Sequence, residues 1–533
     1  MTEQEFTVAD AAILDRYFTN LDRPVFALRN LPEVVKGALF SRYSRTEKSL
    51  RRVLLDEFIN APDSGFQLLA GAGSGDDDMV AVRRAEEFYE RVLVGYGDDS
   101  VAELAGAHIA VERTSTLAAK ALEDSRIGIS PLEKSTRYVR FDRPGPDGRH
   151  LYYRGAELSH PAYEVAADAL FKAYGGLIDP ATLAIRQRFP IEPGETDRAW
   201  KSATRAKALD LLRGLLPAGT LTNLGLFGNG RAFEYLITKM AAHELPECNN
   251  LATDLHRELA LVIPAFVKRA LDDRYGRPSA ERLRRIWQRL QGMAPSARPG
   301  AEESSVRLVE HDPDAERKVV AAALFQHSGG AMLDQAGDPG PVLEALLADR
   351  ANRRQRAPRA FEHATYTFEI VANFAAYRDL HRHRMLTQDR QVLGTSLGYD
   401  TPPTLVELGM DSEFNAAAEA AASAHGTLQR ELGPALAQYI VPLAYRVRWY
   451  FRANLREIYH LCELRTTPQG HPDYRWVAQE IFQRVSEVHP RLASYARFVD
   501  MGPGDELERR QAERRLDEKL EALENPTKDN RVR

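Results

Sequence analysis

FEHATYTFEIVANFAAYRDLHRHR, residues 361–384, changes period in the middle. Its first half alternates, with Ala364, Tyr366, Phe368 and Ile370 on one side and Thr365, Thr367 and Glu369 on the other. β-Branched and aromatic residues at a period of two predict a half-buried strand. The following run, ANFAAYRDLHRHR, reads as helical. That run places Arg382, His383 and Arg384 consecutively. On a continuing helix each residue turns by about 100°, so three neighbours fan over roughly 200° of surface. No flat partner touches all three. Either the run is ordinary solvated charge, or it sits at a helix end and wraps around something anionic.

The same unit occurs earlier in the chain. In AELAGAHIAVE (102–112), Ala105, Ala107, Ile109 and Val111 stand at the same offsets from Glu103 as the four apolar residues stand from Glu362. A helical run follows, TSTLAAKALEDSR. Further on, GNGRAFEYLITKM (228–240) matches RANLREIYHLCELR (452–465) in its Asn-x-Arg opening and its helical period. Three matches in the same order indicate an internal duplication. The stretch QGMAPSARPGAEESS (291–305), rich in Pro, Gly, Ala and Ser, is the expected linker. It separates an N-terminal domain (1–290) from a C-terminal domain (306–502), followed by a charged helical tail (503–533).

Composition narrows the classes. A chain of 533 residues with 44% hydrophobic and 28% charged residues has ample material for a core and the profile of a soluble globular protein. Its net charge of −5 argues against duplex nucleic acid as a partner, because such binding rests on a large basic surplus. Two cysteines, Cys248 and Cys462, exclude a disulfide framework and suggest a reducing, cytoplasmic compartment. No run of about 18 apolar residues is present, so no membrane span is expected. GAGSG (71–75) runs into three aspartates, which would repel a phosphate, and reads as a loop. His381 and His383, two residues apart, would diverge on a helix, so no metal site is expected.

Taken together, Glu362-His363, the alternating strand, Arg382-His383-Arg384 and the later Asn-x-Arg helix resemble the flavin-dependent thymidylate synthases. The resemblance covers roughly residues 95–250 and 355–500. It implies an α+β fold: two tandem thymidylate-synthase-complementing-type domains, helix-rich, each with a small, mostly antiparallel sheet. It also implies reductive methylation of dUMP to dTMP with FAD, methylenetetrahydrofolate as carbon donor and NADPH as reductant.

Each half keeps a different part of the family signature, in which Arg-His-Arg is followed by Glu-x-Ser-x-Arg-Tyr. The second half keeps the front, Arg382-His383-Arg384, but has Arg390, Val392 and Gly394 where the back should be. The first half, in SRIGISPLEKSTRY (125–138), lacks the front and keeps Glu133, Ser135, Arg137 and Tyr138. Downstream, the second half carries Arg465 where the first has Met240. The first half carries Arg213 where the second has Gln438. The resemblance therefore implies one composite site. Arg382, His383, Arg384, Asn454, Arg456, His460 and His471 would hold the flavin, although His460 and His471 also fit structural histidines. Glu133, Ser135, Arg137 and Arg213 would hold the nucleotide. Arg465 would stabilise charge building in the uracil ring.

Guanidinium forks suit this work because they bind phosphate oxygens bidentately and stay charged. The family's Gly-His before the strand is replaced by Gly97-Asp98 and Arg356-Ala357, which bears on folate handling. The implied assembly is a homodimer mimicking the family's tetramer. The alternatives are flavin-dependent methyl or hydroxymethyl transfer to another uracil-containing substrate, and a catalytically silent nucleotide- or flavin-binding relative.

Overall fold

The structure, a computed structural model, describes residues 6–31, 33–44, 46–60, 103–295, 300–331 and 338–524. GAGSG, Gly97-Asp98, four residues of the linker (296–299) and the end of the tail (525–533) lie outside the described residues. In chain order the strands are β1 (Gly106–Ser115), β2 (Ile129–Glu133), β3 (Leu221–Asn229), β4 (Ser305–His311), β5 (Thr365–Asn373), β6 (Thr387–Arg390) and β7 (Arg446–Asn454). The helices that position the site are α1 (Pro161–Arg188), α2 (Asp197–Leu212), α3 (Gly230–Ala242), α4 (Phe374–Leu380), α5 (Asp411–Glu431), α6 (Leu455–Arg465), α7 (Pro472–Val488) and α8 (Arg510–Glu524). The fold is α+β, with two small antiparallel sheets. Among the described residues, no helix is long and apolar enough to cross a membrane.

The chain forms two units that do not follow the tandem halves. The first comprises residues 1–112, 121–133 and 223–295, and the second 113–120, 134–222 and 296–533. In the first unit the strand order is β1-β3-β2, and β2 pairs with β3 from Ile129↔Gly228 to Glu133↔Leu224. Helix α3 buries Phe233, Leu236, Ile237 and Met240, one apolar face at helical spacing.

The second unit holds the four-stranded sheet β4-β5-β7-β6. The alternation at 364–370 comes out as read: Tyr366, Phe368 and Ile370 are buried, opposite Ala453, Phe451 and Trp449 of β7. On the other face Glu369 accepts from both Arg307 and Arg448, at 2.8 and 2.9 Å. That polar face is held by cross-strand ion pairs, while the apolar face carries the burial.

The repeat reading holds in detail. Asn229 and Asn454 each cap the helix that follows, accepting from Ala232 N–H (2.8 Å) and Glu457 N–H (2.9 Å). Ser115 and Asn373 likewise cap the helices Thr116–Glu123 and α4. Such caps are each worth about 1 kcal/mol. The register slips once. Val111 stands four residues before its cap, whereas Ile370 stands three before Asn373. Arg113, between Val111 and that cap, has a φ of 56°, in the left-handed region.

Within the second unit the two repeats meet by reciprocal bonds. Ala218 N–H donates to Val441 O and Leu443 N–H to Leu216 O; Gly219 N–H donates to Tyr439 O and Ala444 N–H to Gly214 O. Each bond has its counterpart with the repeats exchanged, the signature of a two-fold relation. Helices α1 and α5 occupy equivalent places in the two repeats and pack against each other.

Candidate functional site

Helix α4 stops at Leu380, so Arg382-His383-Arg384 follows the helix instead of extending it. The backbone there alternates: His381 and His383 turn inward, Arg382 and Arg384 outward. Of the two arrangements open to this run, the structure has the helix-end one, with the two arginines on the outer side.

His383 is 3% exposed at its side chain and is held from both ring nitrogens. Nδ1 lies 2.8 Å from Glu457 Oε1, and Nε2 accepts from Arg465 Nε at 2.9 Å. An arginine can only donate, which assigns the proton to Nδ1 and leaves the ring neutral. Burial, with Arg465 and Arg382 nearby, pushes the imidazole well below its ordinary range. His460 stacks obliquely on it, with ring centroids 5.5 Å apart.

A second chain of contacts begins in the first repeat. Asp210 and Arg213, three residues apart at the end of α2, share a helix face. Asp210 grips Arg137 through both oxygens, with Arg137 Nε at 2.8 and 2.9 Å and Nη2 at 2.6 Å. Burial works against the Arg137 charge, but Asp210 outweighs it and raises the pKa further. Ser135 Oγ accepts from the Arg137 N–H at 3.2 Å. Arg213 reaches across to the second repeat, donating from Nη1 to Asp379 Oδ2 at 2.9 Å. Arg382 takes the other oxygen of Asp379, at 3.2 Å. Burial tends to raise the Asp379 carboxyl, but Arg213, then Arg382, Arg137 and Arg465, hold it far below the carboxylate range.

The two chains of contacts join at Tyr474, in the first turn of α7. Its hydroxyl is 3.5 Å from Arg137 Nη1, and Arg465 lies 5.6 Å from its ring centroid. His471, the cap of α7, is buried, with Nδ1 accepting from Asp473 N–H and Nε2 3.4 Å from Asp210 O. Burial, and then Arg213 and Arg137, keep it neutral.

Thus Arg137, Arg213, His383, Arg465 and His471 come together, with Arg382 at the edge. Arg456 is turned elsewhere: its Nε donates to Ala357 O at 2.7 Å and its Nη1 to Glu362 Oε1 at 3.1 Å. Asn454 spends its carbonyl oxygen on the helix cap. Arg384 is exposed. Glu133 closes β2 and belongs to the first unit. Asp210, Asp379, Glu457 and Tyr474 were not singled out from sequence. Asp210 had one local signal, its position one turn before Arg213.

One feature of this cluster points to a ligand. Arg213 is 3% exposed, yet its Nε and Nη2 have no hydrogen-bond partner. Leaving buried donors unpaired costs about 1–3 kcal/mol each. What these nitrogens lack is an acceptor.

Comparison with known proteins places the chain. The family described as thymidylate synthase complementing protein matches twice, over residues 60–265 and 307–491. A UPF0159 protein of Chlamydia muridarum is 42% identical over 523 residues, covering 94% of this chain and 97% of that protein. A UPF0159 protein of Thermoplasma acidophilum is 34% identical over 503 residues, covering 88% and 95%. A flavin-dependent thymidylate synthase of Sulfolobus acidocaldarius is 25% identical over 200 residues, covering 36% of this chain and 76% of that protein. With caps, strands and helices repeated at matching places and the family profile matched in both repeats, the chain belongs to the thymidylate synthase complementing protein family and carries its domain in tandem.

Proposed function

We propose that this protein is a flavin-dependent uracil-nucleotide methylase, converting dUMP to dTMP with methylenetetrahydrofolate and NADPH. The observation that carries the reading is the buried Arg213, whose Nε and Nη2 lack acceptors. A nucleotide monophosphate supplies acceptors with the right charge. Arg213 and Arg137 would bind the phosphate, and Ser135 would fix the backbone around Arg137. Asp379 holds Arg213 by one nitrogen only, which keeps the fork oriented for an incoming oxygen.

FAD is the cofactor this family resemblance implies. The outward arginines, Arg382 and Arg384, suit its pyrophosphate, and His460 lies on the same helix as Arg456, which Asn454 caps. A bound flavin would supply the reducing hydride. The chain's own residues handle charge and protons. His383 holds Arg465 by its Nε, so the guanidinium is oriented before substrate arrives. Electron density building on a uracil carbonyl would then meet a fixed cation, the arrangement that lowers barriers most effectively. Glu457 on the far side of the ring keeps the imidazole in the tautomer that accepts from Arg465.

The test is direct. Purified full-length protein should take up FAD with the yellow absorbance of oxidised flavin. With dUMP, methylenetetrahydrofolate and NADPH it should then form dTMP. A colourless protein that neither takes up FAD nor forms dTMP would refute the proposal. Flavin uptake with turnover of a different uracil substrate would correct only the substrate.

A further inference from the structure

Past the second repeat the chain returns to α2. Glu508 reaches Lys207 at 2.6 Å, and both side chains are buried, at 3% and 9% exposure. Arg510 pairs with Glu192 and Glu195, and Asp517 with Thr196 and Arg198. Lys207, Asp210 and Arg213 succeed one another at three-residue spacing on α2. Lys207, which anchors Glu508, is therefore a neighbour of Asp210, which holds Arg137.

This anchoring sets the place of the residue between Glu508 and Arg510. Arg509 lies over the ring of Tyr138, its guanidinium carbon 3.8 Å from the ring centroid, and Tyr138 adjoins Arg137 in sequence. Stacking occupies the plane of the guanidinium and leaves its edge for hydrogen bonds. Its Nε and Nη1 are both buried and have no hydrogen-bond partner. Burial, reinforced by the neighbouring Arg137, pulls its pKa down to about 10. A buried guanidinium edge without acceptors is unfavourable in the absence of a ligand and becomes favourable when an anion meets it.

We propose that Arg509, delivered by the C-terminal segment, is a ligand-binding residue of the same site and forms with Arg137 and Arg213 a clamp for a phosphate monoester. The inference rests on the uracil-nucleotide reading for the identity of the ligand, but not for its charge. It makes the tail part of the binding site. It also assigns Tyr138 a role, that of a platform holding Arg509 edge-on.

The experiment measures binding of dUMP, deoxyuridine and inorganic phosphate to the full-length protein and to Arg509→Gln, with thermal melts to verify folding. One charge-assisted contact contributes about 1.5–3 kcal/mol, a factor of about ten to a hundred in affinity. Arg509→Gln should weaken dUMP and phosphate by that factor and leave deoxyuridine unchanged. Tyr138→Leu, which removes the platform and keeps the arginine, should weaken dUMP by less. Equal dUMP affinity in wild type and Arg509→Gln would overturn the inference while the nucleotide reading stands. Phosphate binding that depends on Arg509, without dUMP binding, would keep the clamp and reject the nucleotide. A wild type that binds neither would reject both.

Discussion

Arg213→Gln separates a binding arginine from a structural one, and its effects can be worked out in advance. The substitution installs what the second repeat already has at the corresponding place, Gln438, whose amide there bonds Leu393 N–H and Arg390. Breaking a buried ion pair by removing one partner costs about 3–5 kcal/mol. Against this, two buried donors without acceptors disappear, at about 1–3 kcal/mol each. Asp379 keeps Arg382, and glutamine supplies a replacement donor. The two contributions are comparable, so the ligand-free protein should lose or gain no more than about 3 kcal/mol. Ligand-linked stability should behave quite differently. At a ligand concentration of 100 times Kd, binding adds about 2.7 kcal/mol to the wild type. If affinity falls a hundredfold, the same concentration adds only about 0.4 kcal/mol to the variant. The assay is chemical denaturation with and without dUMP, paired with calorimetric titration. A variant that loses more than about 3 kcal/mol without ligand and binds dUMP as well as the wild type would refute the argument. Arg213 would then be a structural counter-ion for Asp379.

The other expectations concern neighbouring groups. Arg465→Met should take up flavin as the wild type does but lose about 10²–10³ in turnover, the usual loss for a preorganised charge donor; unchanged turnover would exclude the role. His471 has a folded pKa below its unfolded value of about 6.5, so the unfolded chain takes the proton first as pH falls. Its contribution is therefore lost below about pH 6.5, at about 1.4 kcal/mol per pH unit. His471→Asn should flatten the decline in stability between pH 6.5 and 5 by that amount, and an unaltered slope would count against a buried neutral ring. Arg350 meets Glu463 in a buried bidentate pair at 2.5 Å. Arg350→Met should therefore cost about 3–5 kcal/mol in a denaturation experiment and leave dUMP affinity unchanged.

Much of the architecture was legible because it depends on local pattern. A period of two with β-branched and aromatic residues describes 365–373 without reference to any distant residue. The helical period after each Asn-x-Arg opening is equally local. The duplication was legible for the same reason, since each repeat preserves its local periodicities. The additional residue between Val111 and Ser115 escaped, because a single residue is invisible until the cap has been located.

The site was legible as complementary losses between repeats, not as contacts. Arg137 and Arg213 stood out in one half, His383 and Arg465 in the other. Their counter-ions did not, because Asp210, Asp379 and Glu457 are ordinary acidic residues of charged helices until their partners arrive. Arg456, whose motif implied a cofactor contact, has partners the motif did not announce, Glu362 and a backbone carbonyl. The reason is physical. Helix and strand periods follow from backbone geometry over a few residues, so a sequence states them directly. A guanidinium's partner follows from which chain segments pack side by side, and no local rule carries that information. Arg137 and Asp210 are 73 residues apart, Arg213 and Asp379 166, and Lys207 and Glu508 301. The sequence alone determined that this chain repeats an α+β unit and how its charged signature is divided. Only the tertiary structure decided which arginines are buried beside which carboxylates, and that Arg213 and Arg509 have buried nitrogens without a hydrogen-bond partner.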